Sequence, residues 1–151
     1  MRHAADVATV RRDGYALLRQ MFGAQAKFRE GQWEAIEALV MQRRRVLLVQ
    51  RTGWGKSLVY FLATKLLRNQ GAGPTILISP LLSLMRIQIA MANRIGIQAM
   101  TINSSNREDW DMVETALQKD CCDILLVSPE RLANERFRRL TLPAFSHRVG
   151  M

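Results

Sequence analysis

Short apolar runs that alternate with segments of helical periodicity are the feature that most constrains the fold of this chain. The runs predict strands at 46–50, 75–78, 98–102 and 124–127, each of about four or five residues. Helical segments lie between them with short connections, an order that predicts a parallel sheet covered by helices. Runs that are apolar throughout are expected for strands buried on both faces. The fold class is therefore α/β, and 151 residues without repeats or linkers indicate one domain.

The predicted helices have one apolar face each. A first helix covers about 6–21 and stops at Gly23, and a second covers about 31–42 with Trp33, Ile36 and Val40 on one face. A third follows residue 56, and three more are expected at 81–93, 107–118 and 129–137. The third aligns the following apolar side chains at helical spacing: Leu58, Phe61, Leu62 and Leu66. In such a sheet, ligands bind beyond the carboxyl ends of the strands, so the junctions at 50–57, 79–81 and 128–130 are the candidate site.

Positive charge is concentrated in the middle of the chain. Lys and Arg number 22 against 13 Asp and Glu, a net charge of +9. No acidic residue lies between Glu37 and Glu108, whereas ten basic residues do. The run is compatible with a solvated face or with attraction to a polyanion, either nucleotide phosphates or nucleic acid, and charge alone does not decide between them.

Membrane-spanning and disulfide-rich classes do not fit the sequence. The longest apolar run, residues 58–63, is far shorter than the roughly 20 residues that a helix needs to cross a bilayer. The N-terminus carries charges among its apolar positions and lacks a signal-peptide core. Cys121 and Cys122 are adjacent and cannot form a disulfide scaffold, and with His3 and His147 they offer no metal-ligand spacing. We expect a reduced, cytoplasmic protein without a membrane segment.

A glycine-bearing loop between a predicted strand and a predicted helix has the composition of a phosphate-binding loop. It reads Gln50-Arg-Thr-Gly-Trp-Gly-Lys-Ser57. Gly53 and Gly55 permit backbone conformations in which successive N–H groups point at phosphate oxygens, and the following helix adds its positive end. Lys56 would reach the β- and γ-phosphates of ATP, and the Ser57 hydroxyl would hold Mg²⁺. Gln50 stands where the general P-loop pattern has glycine, but the shorter form T-G-x-G-K-S, Thr52 to Ser57 with Trp54 in its variable position, is complete.

Four further segments resemble the first motor domain of RecQ-like superfamily 2 DNA helicases. They are Phe22-Gly23 with Phe28-Arg-Glu-Gly-Gln32, Ser79-Pro-Leu-Leu-Ser-Leu-Met-Arg-Ile-Gln88, Ile102-Asn-Ser-Ser105, and Ser128-Pro-Glu-Arg-Leu132. The resemblance covers about residues 11–151 and implies a RecA-like P-loop domain with ATP and Mg²⁺ as cofactors. It further implies a 3′ to 5′ DNA helicase that couples ATP hydrolysis to strand separation in recombination or repair. The signatures of the RNA-directed DEAD-box branch, P-T-R-E-L and T-P-G-R, are absent.

The resemblance assigns base recognition to Gln32 and Arg29. An amide carries both a donor and an acceptor and can match the edge of adenine. One departure concerns the aromatic residue that the family often stacks on adenine just after the Phe-Gly pair. The corresponding segment here, Ala24-Gln-Ala-Lys27, has no aromatic residue and is one residue longer.

DNA contact is assigned by resemblance to the other strand ends. These residues are Ser79, Pro80, Arg86, Asn103, Ser104, Ser128 and Arg131, which would follow the phosphates of single-stranded DNA without reading bases. Each Ser-Pro pair also suits the start of a helix, with serine as N-cap and proline in the first turn.

The carboxylates that complete a helicase active site have no counterpart in the sequence. Asp123 precedes its predicted strand, and Glu130 falls in the first turn of a helix, so neither occupies a Walker B position. The family's D-E-A-H motif follows one strand after Ser128-Pro-Glu-Arg-Leu132, and residues 144–151 are expected to enter that strand. We therefore interpret residues 1–151 as a partial domain, truncated before the Walker B strand and inactive by itself. A different P-loop phosphotransferase and a non-enzymatic basic protein that binds single-stranded nucleic acid remain as alternatives.

Overall fold

The computed structural model describes residues 6–102 and 107–151. Seven helices and three strands occur in these ranges. They are α1 (Val7–Phe22), α2 (Gln32–Val40), α3 (Lys56–Asn69), β1 (Thr75–Ile78), α4 (Leu82–Asn93), β2 (Ala99–Ile102), α5 (Trp110–Gln118), β3 (Ile124–Val127), α6 (Pro129–Leu132) and α7 (Leu142–Phe145). Short 3₁₀ turns cover Arg107–Asp109 and Ser146–Arg148, and one π-helical turn covers Phe137–Thr141.

The three strands form a parallel sheet in the order β1-β3-β2. Ile124 of β3 lies opposite Thr75 of β1 and Ala99 of β2, and the register continues to Val127 opposite Ile78 and Ile102. The strands at 75–78 and 124–127 have the predicted bounds, and β2 begins one residue later than expected. The prediction of an α/β fold with a parallel sheet flanked by helices is confirmed.

Alternate residues of the central strand face two separate hydrophobic cores. Ile124 and Leu126 lie in the core formed by α1, α2 and α3, whereas Leu125 and Val127 lie in the core formed by α5 and the C-terminal turns. Every residue of β3 is buried because helices cover both faces of the sheet. The outer strands are less covered. The prediction of full burial is wrong for β1, where Ile78 is half exposed, and for β2, where three of the four residues are only partly buried.

The helix faces expected from periodicity are the buried ones. Trp33, Ile36 and Val40 of α2 lie in the first core, and so do the four apolar residues predicted for α3. The helix predicted at 129–137 is interrupted after Leu132 and resumes at residue 135, so the prediction is wrong at residues 133–134. Asn134 Oδ1 accepts the backbone N–H of Phe137 at 3.0 Å, and a short polar side chain that takes a backbone donor in this way favours a new helix start.

The predicted strand at 46–50 is not present among the described residues. No strand is assigned there, and Leu47 and Val49 are 90% and 79% exposed while Leu48 packs against the core. The segment therefore keeps the alternation of a strand without a neighbour to pair with. On the outer side of β1 lies the end of the chain instead, where Gly150 N donates to Pro74 O and Ile76 N donates to Met151 O, each at 2.9 Å.

Candidate nucleotide site

A cavity of about 670 Å³ opens between the loop at 52–57 and the ends of α1 and α4. It is lined by Leu18, Phe22, Ala26, Lys27, Arg29, Gln32, Thr52, Gly53, Trp54, Gly55, Lys56, Ser57, Leu58, Tyr60 and Met91. All eight residues that the sequence assigns to nucleotide binding are in this set. The volume lies in the range typical of small-molecule and cofactor sites.

The loop can adopt its shape because two glycines have left-handed backbone conformations. Gly53 has φ of 82° and Gly55 has φ of 99°, values that cost a side chain of L configuration strain. Gly55 is the N-cap of α3, so the first turn of this 14-residue helix faces the cavity with unpaired backbone N–H groups and the positive end of its dipole. The backbone N–H groups and the positive end of the helix dipole together attract anions.

The ammonium group of Lys56 is held against the loop itself. Nζ donates to Gln50 O at 2.7 Å and to Arg51 O at 3.1 Å. Lys56 is therefore positioned at the mouth of the phosphate loop by two backbone carbonyls. A triphosphate entering the cavity would offer Nζ anionic oxygens in place of neutral carbonyls, so the Coulomb attraction between opposite charges would be added to the hydrogen bonds.

Gln32 and Arg29 connect the start of α2 to the same loop. The Gln32 amide accepts Arg29 N and donates to Trp54 O, each at 2.9 Å, and only 3% of the residue is exposed. The Arg29 guanidinium donates to Gly53 O. An amide oxygen can accept two hydrogen bonds and an amide nitrogen can donate two, so Gln32 has one further position on each atom.

The other wall of the cavity is apolar, and sequence reasoning did not assign it to the site. It consists of Leu18 and Phe22 of α1, Ala26, Tyr60 of α3 and Met91 of α4. Burial raises the pKa of Tyr60 to about 12, so the phenol stays neutral at physiological pH. Position 60 lies one turn after Lys56 on the same helix face, which was an available signal for Tyr60. No local pattern points to Met91, which reaches the cavity from a distant segment.

The residues assigned to DNA contact occupy different environments. Ser79 and Ser128 follow the neighbouring strands β1 and β3, where Ser79 N donates to Val127 O at 3.2 Å. Pro80 and Arg86 are exposed, whereas Ser128 is buried. Asn103 and Ser104 lie outside the described residues, as does Ser105 of the same segment.

The two Ser-Pro junctions differ in how they start a helix. Ser128 occupies the predicted N-cap position of α6 with Pro129 in the first turn, but its side chain makes no capping hydrogen bond. The pKa of Glu130 is lowered chiefly by its own backbone N–H, which fits an acid in a first turn. The N-cap of α4 is Leu81 rather than Ser79, because the Ser79 hydroxyl accepts Leu81 N two residues on at 3.2 Å.

Arg131 is buried, which does not fit a direct contact with DNA. Only 6% of the residue is exposed, and its guanidinium carbon lies 4.7 Å from the centre of the Trp110 ring. A cation stacked on an indole in this way connects α6 to the start of α5. The expectation that Arg131 adds charge to the surface is therefore wrong in this structure.

Asp123, rejected as a Walker B residue, has a structural role at the opposite edge of the sheet. Its carboxylate accepts Arg68 Nε at 2.7 Å and Gln98 N at 2.8 Å. Arg68 also bonds Asp120, and these partners raise the pKa of Arg68 against the lowering effect of its burial. In the described ranges, no three His, Cys, Asp or Glu side chains converge to hold a metal ion. Among the described helices, none has the length and apolar content to span a bilayer.

Comparison with known proteins places this chain in a family. The sequence profile of the DEAD/DEAH box helicases matches residues 29–147. The ATP-dependent DNA helicase RecQ of Bacillus subtilis is 36% identical over 127 residues, which are 83% of this chain and 20% of that protein. RecQ of Haemophilus influenzae is 36% identical over 126 residues, 83% of this chain and 19% of that protein. ATP-dependent DNA helicase Q1 of Rattus norvegicus is 36% identical over 123 residues, 80% of this chain and 18% of that protein.

The matched region contains both the phosphate loop and the strand ends described above. The chain spans about a fifth of the length of the curated relatives it matches. The segments that resemble RecQ-like helicases and the arrangement of the parallel sheet agree with this match. The chain belongs to the DEAD/DEAH box helicase family and is a RecQ-like member of it.

Proposed function

We propose that residues 1–151 form the nucleotide-binding part of an ATP-dependent DNA helicase of the 3′ to 5′ type. The observation that carries the proposal is the convergence on one cavity of Lys56, Ser57, both loop glycines and the Arg29–Gln32 pair. The first turn of α3 would receive the phosphates, and Lys56 would exchange its two carbonyl partners for phosphate oxygens. Gln32 would meet the adenine edge with its two remaining hydrogen-bonding positions.

The lining of the cavity fits the Mg²⁺ complex of ATP at the phosphate end. Ser57, the second residue of α3, is the candidate ligand for the metal. Mg²⁺ neutralises charge on the β- and γ-phosphates when it is bound. The work of this chain's own residues is binding: α3 and Lys56 hold the anion, and the loop glycines let the backbone approach it.

Single-stranded DNA is the proposed polymer partner, on the edge formed by the carboxyl ends of β1 and β3. Ser79, Pro80 and the exposed Arg86 are the described residues that we assign to it. The charge of +9 and the absence of acidic residues between Glu37 and Glu108 support attraction to phosphates. The free thiols of Cys121 and Cys122 support a reducing compartment, which we propose to be the cytoplasm.

Calorimetric titration with Mg-ATP, in the presence and absence of oligo-dT, tests the proposal. Lys56→Ala should abolish nucleotide binding and leave the circular dichroism spectrum unchanged, because the residue lies at the surface end of a helix. Lys119→Ala is the matched control, since it removes an exposed lysine at the end of α5. ATP should change the affinity for oligo-dT.

Three results would contradict this proposal in distinguishable ways. Absence of heat with well-folded protein at millimolar Mg-ATP excludes nucleotide binding. Salt-sensitive oligo-dT binding that ATP leaves unchanged favours a non-enzymatic nucleic-acid-binding protein. Unfolding of Lys56→Ala shows that Lys56 is structural.

A further inference from the structure

The phosphate loop contains one buried side chain, that of Trp54. Only 7% of this residue is exposed, and it belongs to the core formed by α1, α2 and α3. In the range between Val40 and Leu58, which the structure describes throughout, every other residue is exposed or only partly buried. Trp54 occupies the variable position of T-G-x-G-K-S, where the pattern sets no requirement on the side chain. The indole is therefore the one fully buried anchor of this segment.

The segment that begins α2 holds both the indole and the backbone of the loop. A Cβ added at Gly31, the N-cap of α2, would lie 3.6 Å from Trp54 Cζ2, so the indole lies beside this glycine. Gln32 Nε2 donates to Trp54 O at 2.9 Å. The Arg29 guanidinium donates to Gly53 O. One short segment thus contacts the loop through a ring and through two carbonyl groups.

The part of the loop that precedes Trp54 has no comparable support. No strand is assigned at 46–50, and the residues from Gln50 to Gly53 are exposed. A loop that is free to move must be ordered when it binds a ligand, and the entropy lost in that ordering lowers the affinity. An indole that is already packed in the core reduces this loss, because it restricts its neighbours before the ligand arrives.

We propose that Trp54 is a positioning residue for the triphosphate, which holds the phosphate loop in its binding conformation from the side of the core. This rests on the proposed nucleotide-binding function and adds to it a residue that acts through the loop. Trp54 lies between Gly53 and Gly55, whose left-handed conformations shape the loop. Its contribution does not depend on the base, because the groups that it positions meet the phosphates.

Calorimetric titration with the Mg²⁺ complexes of ATP and of inorganic tripolyphosphate tests this role. Trp54→Leu should weaken both ligands alike, by about tenfold to a hundredfold, because the loop must then be ordered on binding. Trp54→Phe keeps a ring in the core and should restore most of the affinity. Trp33→Leu is the matched control, since Trp33 is an indole of the same core, 4% exposed, and is absent from the described lining of the cavity. It should lower the free energy of unfolding and leave both affinities unchanged.

Backbone order parameters from ¹⁵N relaxation report on the loop without any ligand. In the unaltered chain, residues 53–55 should be close to the rigid value of about 0.85, and in Trp54→Leu they should fall below about 0.6. Trp33→Leu should leave them unchanged. If Trp54→Leu does not fold, Trp54→Met is the second truncation, and failure of both to fold would assign Trp54 to the core alone and overturn the proposal.

The titrations separate this role from three others. Unchanged tripolyphosphate affinity in Trp54→Leu refutes the positioning role, and a loss confined to ATP would show that the ring contacts the nucleoside instead. Equal losses of affinity in Trp54→Leu and Trp33→Leu would show general destabilisation and also refute it. Failure of the unaltered chain to bind either ligand would refute the proposed function and with it the role toward the triphosphate. The order parameters would then decide by themselves whether Trp54 holds the loop.

Discussion

Gln32 is expected to stabilise the fold as well as the site, and replacing it tests how the phosphate loop is held. Its amide accepts Arg29 N and donates to Trp54 O, both at 2.9 Å, and so connects two groups that are 25 residues apart in the chain (54 − 29). Gln32→Met keeps the length of the side chain and removes both hydrogen bonds. The change thus isolates the bridge from packing.

The cost of Gln32→Met can be worked from the two groups that lose a partner. Arg29 lies in an exposed turn, so its N–H can turn to water and the loss there is about 1 kcal/mol. Trp54 is buried, and an unsatisfied carbonyl at a buried position costs about 1–3 kcal/mol. We therefore expect the free energy of unfolding to fall by about 2–4 kcal/mol.

Urea unfolding followed by circular dichroism measures this difference. Gln20→Met is the control, since Gln20 makes one exposed hydrogen bond to Arg94 O and should cost less than about 1 kcal/mol. Gln32→Glu should be at least as destabilising as Gln32→Met, because it places a carboxylate oxygen against Trp54 O. A Gln32→Met variant that is no less stable than Gln20→Met would show that the bridge does not hold the loop.

Two further predictions concern the cores and the response to alkali. A Cβ added at Gly14 would lie 2.6 Å from Trp33 Cζ3. Overpacking in Gly14→Ala should lower the free energy of unfolding by about 1–3 kcal/mol, and the gain in helix propensity of about 1 kcal/mol opposes this loss. In a Trp33→Phe background, which removes that atom, urea unfolding should show a smaller loss of stability for Gly14→Ala. Burial raises the pKa of Cys122 from 9.0 to about 12 and that of Tyr60 from 10.0 to about 12. Both groups therefore lose their protons at a lower pH in the unfolded chain than in the folded one. The free energy of unfolding should fall as the pH rises from about 9 to about 12. Cys122→Ala should make the fall shallower, and an unchanged slope in urea titrations across that range would contradict the assignment.

Sequence patterns were sufficient where the determining interactions are local. The strand at 124–127 has its predicted bounds because four consecutive apolar residues are buried whichever face they turn to. The loop at 50–57 can be proposed as a phosphate-binding loop from the sequence because its glycine, lysine and serine positions lie within a few residues of one another. The burial of Arg131 could not be predicted from the local pattern, because it depends on contact with Trp110, a residue of another helix.

The apolar wall of the cavity shows a second limit of local patterns. Met91 and Tyr60 come from different helices, and each reads as part of an apolar helix face. Met91 and Tyr60 reach the same cavity as Phe22 because α1 packs against α3 and because Arg94 binds the end of α1. A candidate site assembled from motifs therefore contains the polar residues and omits the apolar ones.

The segment at 46–50 shows that a strand is a property of a pair of segments rather than of one. Its alternation is correct, since Leu48 contacts the core and its neighbours face solvent, yet no strand is assigned because a ladder needs a partner backbone. The loop that follows is consequently not positioned by a sheet on its N-terminal side. It is positioned by side chains that bond its carbonyl groups, Lys56 at Gln50 and Arg51 and Gln32 at Trp54. Lys56 and Gln32 are also assigned to the nucleotide, so the same donors serve ligand binding and the placement of the loop. A nucleotide that binds Lys56 must therefore break the hydrogen bonds between Lys56 and the two loop carbonyls.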